Sequence, residues 1–280
     1  VAGVSQSVFI RALSPLPSPT NPTIATGAIP ALFQSLARQD PTTAVLELAA
    51  VVSTVVVFAM AVYVQAMKVE IPLSFGRVRG HGIRWPLSFV YTSNIPVILV
   101  AALLANIQLW ARLFANWGFP ILGSFAGTQP SSGLVAWLTP ENLVRGAITG
   151  SLRGVDVAHT LAYLLFLVIG SVMFAWFWVQ TSGMDPRSQA KQIMASGLQI
   201  PGFRKDERVL ERILARYVYP LTVMGAITVG VLAGLADVSG ALTQGTGLLL
   251  AVMIVYKLYE DISRQHLVDM NPMMQKFMGG

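Results

Sequence analysis

Two groups of basic side chains have a residue type and a spacing suited to phosphate binding. Arg77, Arg79 and Arg84 lie in a short segment punctuated by glycines, and Arg204 and Lys205 follow a Pro-Gly turn. A guanidinium group can donate two parallel hydrogen bonds to a phosphate, so a hairpin carrying these residues could dock on a nucleic acid. Such contacts give an affinity that depends on salt but not on base sequence. The alternative is that the charges set the topology of a membrane protein and contact anionic lipid headgroups.

A second group of polar side chains lies within a long apolar segment, residues 85–111. The residues that interrupt its apolar character are Thr92, Ser93, Asn94, Pro96, Asn106 and Gln108. Polar groups at membrane depth usually face other protein segments or a water-filled path. The pattern therefore fits ordinary hydrogen bonding between helices and a functional path equally well.

Catalytic chemistry has little support in the sequence. Neither an HExxH zinc pair nor a G-x-S-x-G nucleophile turn occurs, and cysteine is absent. The three histidines, His81, His159 and His266, lie in separate regions and cannot be grouped by spacing. We therefore expect no enzyme activity, no metal site and no bound cofactor.

The composition indicates what must position these groups. The chain has 280 residues, of which 54% are hydrophobic and 11% charged, against about 25% charged in an ordinary soluble domain. The charges are segregated, which leaves five apolar segments that are each long enough to cross a hydrocarbon core of about 30 Å. This pattern predicts an all-α, polytopic transmembrane helical bundle and excludes a soluble single domain, a disordered chain and a disulfide scaffold.

The five predicted spans comprise residues 48–67, 85–111, 157–180, 217–236 and 245–262. The valine-rich run 51–57 has strand propensity, but the length of the apolar segment around it favours a helix. Residues 14–47 and 112–156 carry too many prolines and glycines to cross lipid, so they are predicted external loops, with 237–244 as a short external connection. Residues 1–13 are predicted to be the end of a truncated transmembrane helix.

The distribution of basic residues predicts the orientation. Fourteen of the 19 Lys and Arg residues lie in or beside the segments 68–84, 181–216 and 263–280. Since loops rich in Lys and Arg remain in the cytoplasm, we predict two cytoplasmic basic loops and a cytoplasmic C-terminal tail. The whole formal net charge of +6 then lies on the cytoplasmic side.

Seven short strings, in a fixed order, carry a resemblance to a known family. They are KVEIPL at 68–73, GRVRG at 76–80, YTSNIPVIL at 91–99, GMDPR at 183–187, PGFRK at 201–205, YPLTVM at 219–224 and GTGLLL at 245–250. Their order and spacing resemble the C-terminal half of the SecY family, the channel subunits of the Sec protein translocon, in a form closer to archaeal than to bacterial members. The resemblance covers residues 48 to 266 and is weak in the two long external loops.

The resemblance implies a role for each group. The five spans would be the second, inverted half of a ten-helix channel, and residues 85–111 would form one wall of its lateral gate. Thr92, Ser93, Asn94 and Pro96 would belong to that gate helix, and Ile98 and Leu250 to an apolar pore ring. Arg77, Arg79, Arg204 and Lys205 would dock the ribosome.

The implied function is passage of secretory polypeptides across the cell (plasma) membrane and lateral release of transmembrane segments into lipid. The implied partners are the N-terminal half of the channel, SecE, the small beta subunit, the translating ribosome with its RNA, the signal recognition particle receptor, signal peptides, nascent chains and membrane lipids. One rival is a secondary transporter in which Thr92, Ser93 and Asn94 bind a small solute. A second rival, an intramembrane hydrolase, needs a nucleophile or metal set that the sequence does not display.

Overall fold

The structure, a computed structural model, describes residues 2–16, 25–75, 82–92, 94–126, 129–195, 198–199 and 206–269. Its helices are α1 (Ala2–Leu13), α2 (Ala28–Ala37), α3 (Pro41–Ala66), α4 (Ile95–Asn116), α5 (Leu134–Trp137), α6 (Leu143–Thr149), α7 (Gly154–Thr181), α8 (Pro186–Ala195), α9 (Glu207–Val238) and α10 (Gly245–Asp269). Its strands are β1 (Lys68–Phe75), β2 (Gly82–Ser88), β3 (Phe125–Ala126), β4 (Gln129–Pro130) and β5 (Leu198–Gln199). The predicted helical membrane bundle is confirmed, with a small sheet added to it.

Four helices, α3, α4, α7 and α9, are long and apolar enough to cross a membrane. The valine-rich run lies inside α3 and is helical, as expected. α10 is also long, but charged residues such as Lys257, Glu260 and Asp261 make it less apolar than the other four. The fifth predicted span therefore stays a prediction, as do the limits of all spans relative to the membrane.

Two helices extend beyond the apolar segments that predict them. α3 begins at Pro41, so residues 41–47 of the predicted loop 14–47 are helical. The carboxylate of Asp40 caps this helix and accepts hydrogen bonds from the Thr43 hydroxyl at 2.6 Å and the Thr42 hydroxyl at 2.7 Å. These bonds hold the pKa of the Asp40 carboxyl below its ordinary value of 3.8, and the bond from Thr43 has the largest effect. α9 likewise begins at residue 207 rather than 217. Its first turns are polar and are capped by the Asp206 side chain, so the helix extends beyond the apolar segment.

The second predicted span needs the opposite correction. Residues 85–88 belong to strand β2 rather than to a helix, and α4 begins only at Ile95. The reason is strand pairing, since Trp85 lies opposite Ile71 and Pro86 opposite Glu70 in the antiparallel ladder between β1 and β2. Apolar length alone cannot separate a strand from the helix that follows it.

The sheet connects the two predicted basic loops. β1 pairs with β2 on one side and with β5 on the other, in the order β2-β1-β5. Ser74 lies opposite Gln199, and Phe75 lies opposite Leu198. Segments 68–84 and 181–216, which the sequence treats as separate loops, are therefore hydrogen-bonded to each other.

α9 forms the centre of the helical bundle. In the most apolar 18-residue stretch of α9, 61% of the residues are buried inside the structure, whereas the figure for α3 is 11%. Gly230 and Gly234 face α7. A Cβ added at Gly230 would lie 3.2 Å from the Ser171 hydroxyl, and a Cβ added at Gly234 would overlap the Leu164 side chain. The Gly-xxx-Gly pair therefore serves close helix packing.

Candidate functional site

The start of α4 is attached directly to α10. Asn94, which is only 3% exposed, occupies the N-cap position of α4 without making a side-chain capping bond. Its amide Nδ2 donates instead to the carbonyl oxygen of Leu249 at 2.7 Å. Of the predicted gate residues that the structure describes, Asn94 therefore makes a specific polar contact with another helix.

A narrow apolar stripe holds α4 against the bundle. Val97, Val100 and Leu104 are buried in one cluster with Leu249 and Val252 of α10. The spacing of three and four residues is that of one helix face. Other faces of α4 expose apolar side chains, among them Leu99, Leu103 and Leu109.

The predicted ring residues lie at the edge of this contact. Ile98 and Leu250 are each half-buried, while the residues before them, Val97 and Leu249, are almost fully buried. Successive residues on a helix point about 100° apart, so Ile98 and Leu250 lie beside the buried faces of α4 and α10 rather than within them. Both are aliphatic and only partly covered by this chain, which is compatible with lining a passage.

The turn before α4 is fixed at a second point. The hydroxyl of Tyr91 donates to the carbonyl of Met184 at 2.7 Å, and burial raises the pKa of Tyr91 to about 12. Thr92 is 2% exposed, and its Oγ1 has no hydrogen-bond partner among the described residues. Pro96 is fully buried, whereas Ser93 lies outside the described residues. Sequence reasoning quoted Tyr91 only as part of a string and missed its role as an anchor.

A half-buried carboxylate connects three helices at the other end of the bundle. Asp237, near the end of α9, accepts a hydrogen bond from the Tyr163 hydroxyl of α7 at 2.7 Å. Its second oxygen accepts from the backbone amide of Gly245, the first residue of α10, at 2.8 Å. Sequence reasoning treated Asp237 only as the boundary of a span, although an acidic residue next to an apolar segment is itself a signal of a specific partner.

The predicted docking residues Arg77, Arg79, Arg204 and Lys205 lie outside the described residues. The structure does place the segments that lead to them. In the pairing of β1 with β5, Phe75 lies opposite Leu198. Phe75 comes two residues before Arg77, and Leu198 comes six residues before Arg204. The strand pairing therefore joins the two segments that carry these residues.

An ion pair attaches the sheet to α10. Lys68 at the start of β1 and Glu260 on α10 lie 2.5 Å apart, and both side chains are about one-third exposed. Pairs with this exposure contribute about 0.2–1 kcal/mol. Within the described part of the chain, no three histidine or acidic side chains are grouped closely enough to hold a metal.

Long apolar helices joined by a few buried polar contacts define a multi-spanning helical membrane protein. The SecY family profile matches residues 1–259, so the chain belongs to the SecY family. The protein translocase subunit SecY of Pyrococcus furiosus is 42% identical over 99% of this chain and 61% of its own length. That of Methanocaldococcus jannaschii is 41% identical over 99% of this chain and 59% of its own length. The resemblance seen in the sequence is thereby confirmed.

Solved structures support the same assignment. A SecY structure described for the plug domain, which stabilises the closed state of that channel, matches with a TM-score of 0.78 at 42% identity and covers 95% of this chain and 58% of its own. Sec61 in the canine ribosome–channel complex matches with a TM-score of 0.73 at 42% identity, and the match covers 95% of this chain and 57% of the Sec61 chain. The chain thus spans about three-fifths of the length of the relatives that it matches.

Proposed function

We propose that this chain is part of the central subunit of a protein-conducting channel and supplies its C-terminal half. The channel passes secretory polypeptides across the cell membrane and releases transmembrane segments sideways into lipid. The observation that carries the proposal is the family match over residues 1–259, together with relatives that are named translocase subunits. The chain performs no catalysis and needs no cofactor, because a partner such as the translating ribosome drives the movement.

In this proposal α4 is one wall of the lateral gate. Support comes from its attachment, which combines a narrow apolar stripe with the hydrogen bond from Asn94 to Leu249. The exposed apolar faces of α4 would meet the N-terminal half, lipid or a passing apolar segment. Ile98 and Leu250 contribute to the pore ring, where aliphatic side chains seal around a polypeptide without holding an ion.

The sheet end is proposed as the ribosome-docking surface, on the cytoplasmic side together with the C-terminus. The pairing of β1 with β5 supports a single surface, since it hydrogen-bonds the two segments that carry the basic groups. Described basic residues of the second of these segments, 181–216, are exposed, namely Arg187, Lys191, Arg208, Arg212 and Arg216. Ribosomal RNA offers the phosphates that such a surface binds, and the signal recognition particle receptor would use the same face. SecE and the small beta subunit complete the assembly, with signal peptides and nascent chains as cargo.

The transporter alternative is not favoured. Of the three residues that would bind its solute, Asn94 directs its amide to the backbone of α10. The family match also names a translocase rather than a solute carrier.

Docking is tested with the complete channel, joined to its N-terminal half and purified in detergent. Co-sedimentation with ribosomes is measured over a salt series for wild type and for the triple variant R77E/R79E/R204E. The variant should bind more weakly, most clearly at moderate salt, because exposed charges are screened over about 10 Å at 0.1 M. The matched control R38E/R145E/R153E makes the same change on the opposite predicted side and should bind normally. Equal affinity of all three proteins at every salt concentration would refute the docking surface.

Channel function is tested separately by import of a secretory protein into vesicles that contain the complete channel. Import that requires the channel supports the proposal, even if the docking residues are wrong. Failure to import, combined with saturable solute uptake lost on T92V or N94L, would replace the channel by the transporter.

A further inference from the structure

The chain reverses direction sharply at the end of α4. The amide of Gly118 donates to the Ala115 carbonyl at 3.2 Å, and that of Phe119 donates to the Phe114 carbonyl at 3.0 Å. This pair of bonds is a Schellman motif, which requires a left-handed residue, and Gly118 supplies it with φ = +85°. As a result, the following residues return past the last turn of α4.

The reversal encloses a cleft of about 590 Å³, within the size range of small-molecule sites. It is lined by Arg112, Ala115, Asn116, Gly118, Pro120, Ser124 and Phe125. The Arg112 guanidinium carbon lies 5.5 Å from the centre of the Phe125 ring, a cation–π contact that orients the charged group. Among the described residues, the lining thus combines a cation with amide and hydroxyl groups and includes no carboxylate, which favours an anionic ligand.

The cleft lies where lipid headgroups are expected. α4 has 22 residues, a length of about 33 Å, which matches the hydrocarbon core of a bilayer. Its first residue follows the sheet closely, so the cleft at its last turn lies at the membrane surface away from the sheet. Trp110, Trp117 and Phe119, in or just after the last two turns of α4, are 52%, 65% and 68% exposed. Tryptophans at both ends of spans commonly sit at the headgroup level.

We propose that this cleft binds the phosphate group of a membrane phospholipid in the leaflet away from the sheet. The Arg112 guanidinium and the Asn116 amide donate hydrogen bonds to the phosphate oxygens. The acyl chains lie along the exposed apolar surface of α4 that includes Leu109. The proposal depends on α4 crossing the bilayer but not on what the channel conducts.

The test uses the complete channel after delipidation, with bound lipid counted by native mass spectrometry. Phosphatidylglycerol, diacylglycerol with the same acyl chains, and inorganic phosphate are added back as separate probes. Wild type should retain one more phosphatidylglycerol than R112Q, and the affinity of that site should fall at least about tenfold in the variant. R145Q is the matched control, because Arg145 is another exposed arginine on the same predicted side, and it should bind like wild type.

Each other outcome has a defined meaning. Equal retention by wild type and R112Q would overturn the proposal, and so would equal binding of diacylglycerol, which lacks the phosphate. Binding of inorganic phosphate that competes fully with the lipid would show an anion site without a lipid. R112K keeps the charge but loses the planar fork. It should bind with intermediate affinity, and it keeps the proposal testable if R112Q does not fold.

Discussion

Replacing Asn94 by leucine should make the channel open more readily, because the substitution removes a hydrogen bond that ties α4 to α10. The amide donates to the Leu249 carbonyl at 2.7 Å from a position that is 3% exposed. The side chain makes no capping bond, so the start of α4 keeps its other interactions. Leucine has the same branching at Cγ as asparagine, with slightly larger methyl groups in place of the amide, so its main effect is the lost bond.

The size of the effect follows from the strength of that bond. Hydrogen bonds between helices in membranes contribute about 0.6 kcal/mol on average and about 1.7 kcal/mol at most. If α4 separates from α10 when the gate opens, the bond stabilises the closed state alone. Its loss then shifts the equilibrium toward the open state by about 3-fold, and by about 18-fold at the upper limit.

The assay is the resting conductance of the complete channel in planar bilayers. Asn106 offers a matched control on the same helix, since it is exposed and donates to the Ala102 carbonyl of its own helix at 2.9 Å. N94L should raise the resting open probability, whereas N106L should leave it unchanged. A resting conductance of N94L equal to that of wild type would refute the reasoning, and so would an equal rise in both variants.

Three further outcomes are expected. G225A should lower the free energy of unfolding of the channel in detergent by up to about 3 kcal/mol, because an added Cβ would lie 2.7 Å from the backbone oxygen of Phe89. The control G154A should leave this free energy unchanged, because its Cβ meets open space. I98N and L250N should raise ion leak and admit defective signal sequences, and wild-type values of both would contradict the ring assignment. The carboxylate cap of Asp40 is fully effective above pH 3.8 and is lost as the pH falls through its lowered pKa. The protection of the amides at the start of α3, measured relative to their intrinsic exchange rates at each pH, should therefore fall in acid, and D40N should abolish that fall.

The spanning helices could be predicted because they depend on local composition. A run of apolar residues without charge has one stable arrangement in lipid, a helix that satisfies its own backbone. This reasoning found α3, α4, α7 and α9, even where the valines of α3 have strand propensity. It misplaced the start of α4, because residues 85–88 pair with a strand and apolar length does not distinguish the two.

The contacts of the candidate site could not be predicted, because they join residues far apart in the sequence. The string around Asn94 predicts a gate helix, but nothing in it indicates that the amide reaches Leu249. The pairing of Phe75 with Leu198 is equally non-local, although it decides whether the basic loops form one surface or two. Residue types therefore predicted what each segment can bind, while the register between distant segments required the structure.

Polar contacts hold α10 at three levels along its length. Gly245 donates to Asp237, the Leu249 carbonyl accepts from Asn94, and Glu260 pairs with Lys68. These levels span fifteen residues, or about 22 Å of helix. Apolar burial is non-directional and tolerates sliding, whereas a hydrogen bond is lost when its partners move apart. The position of Leu250, directly after Leu249, is therefore set by discrete bonds, so a movement of α10 that opens the proposed ring must break one of them and cannot proceed by gradual slippage alone.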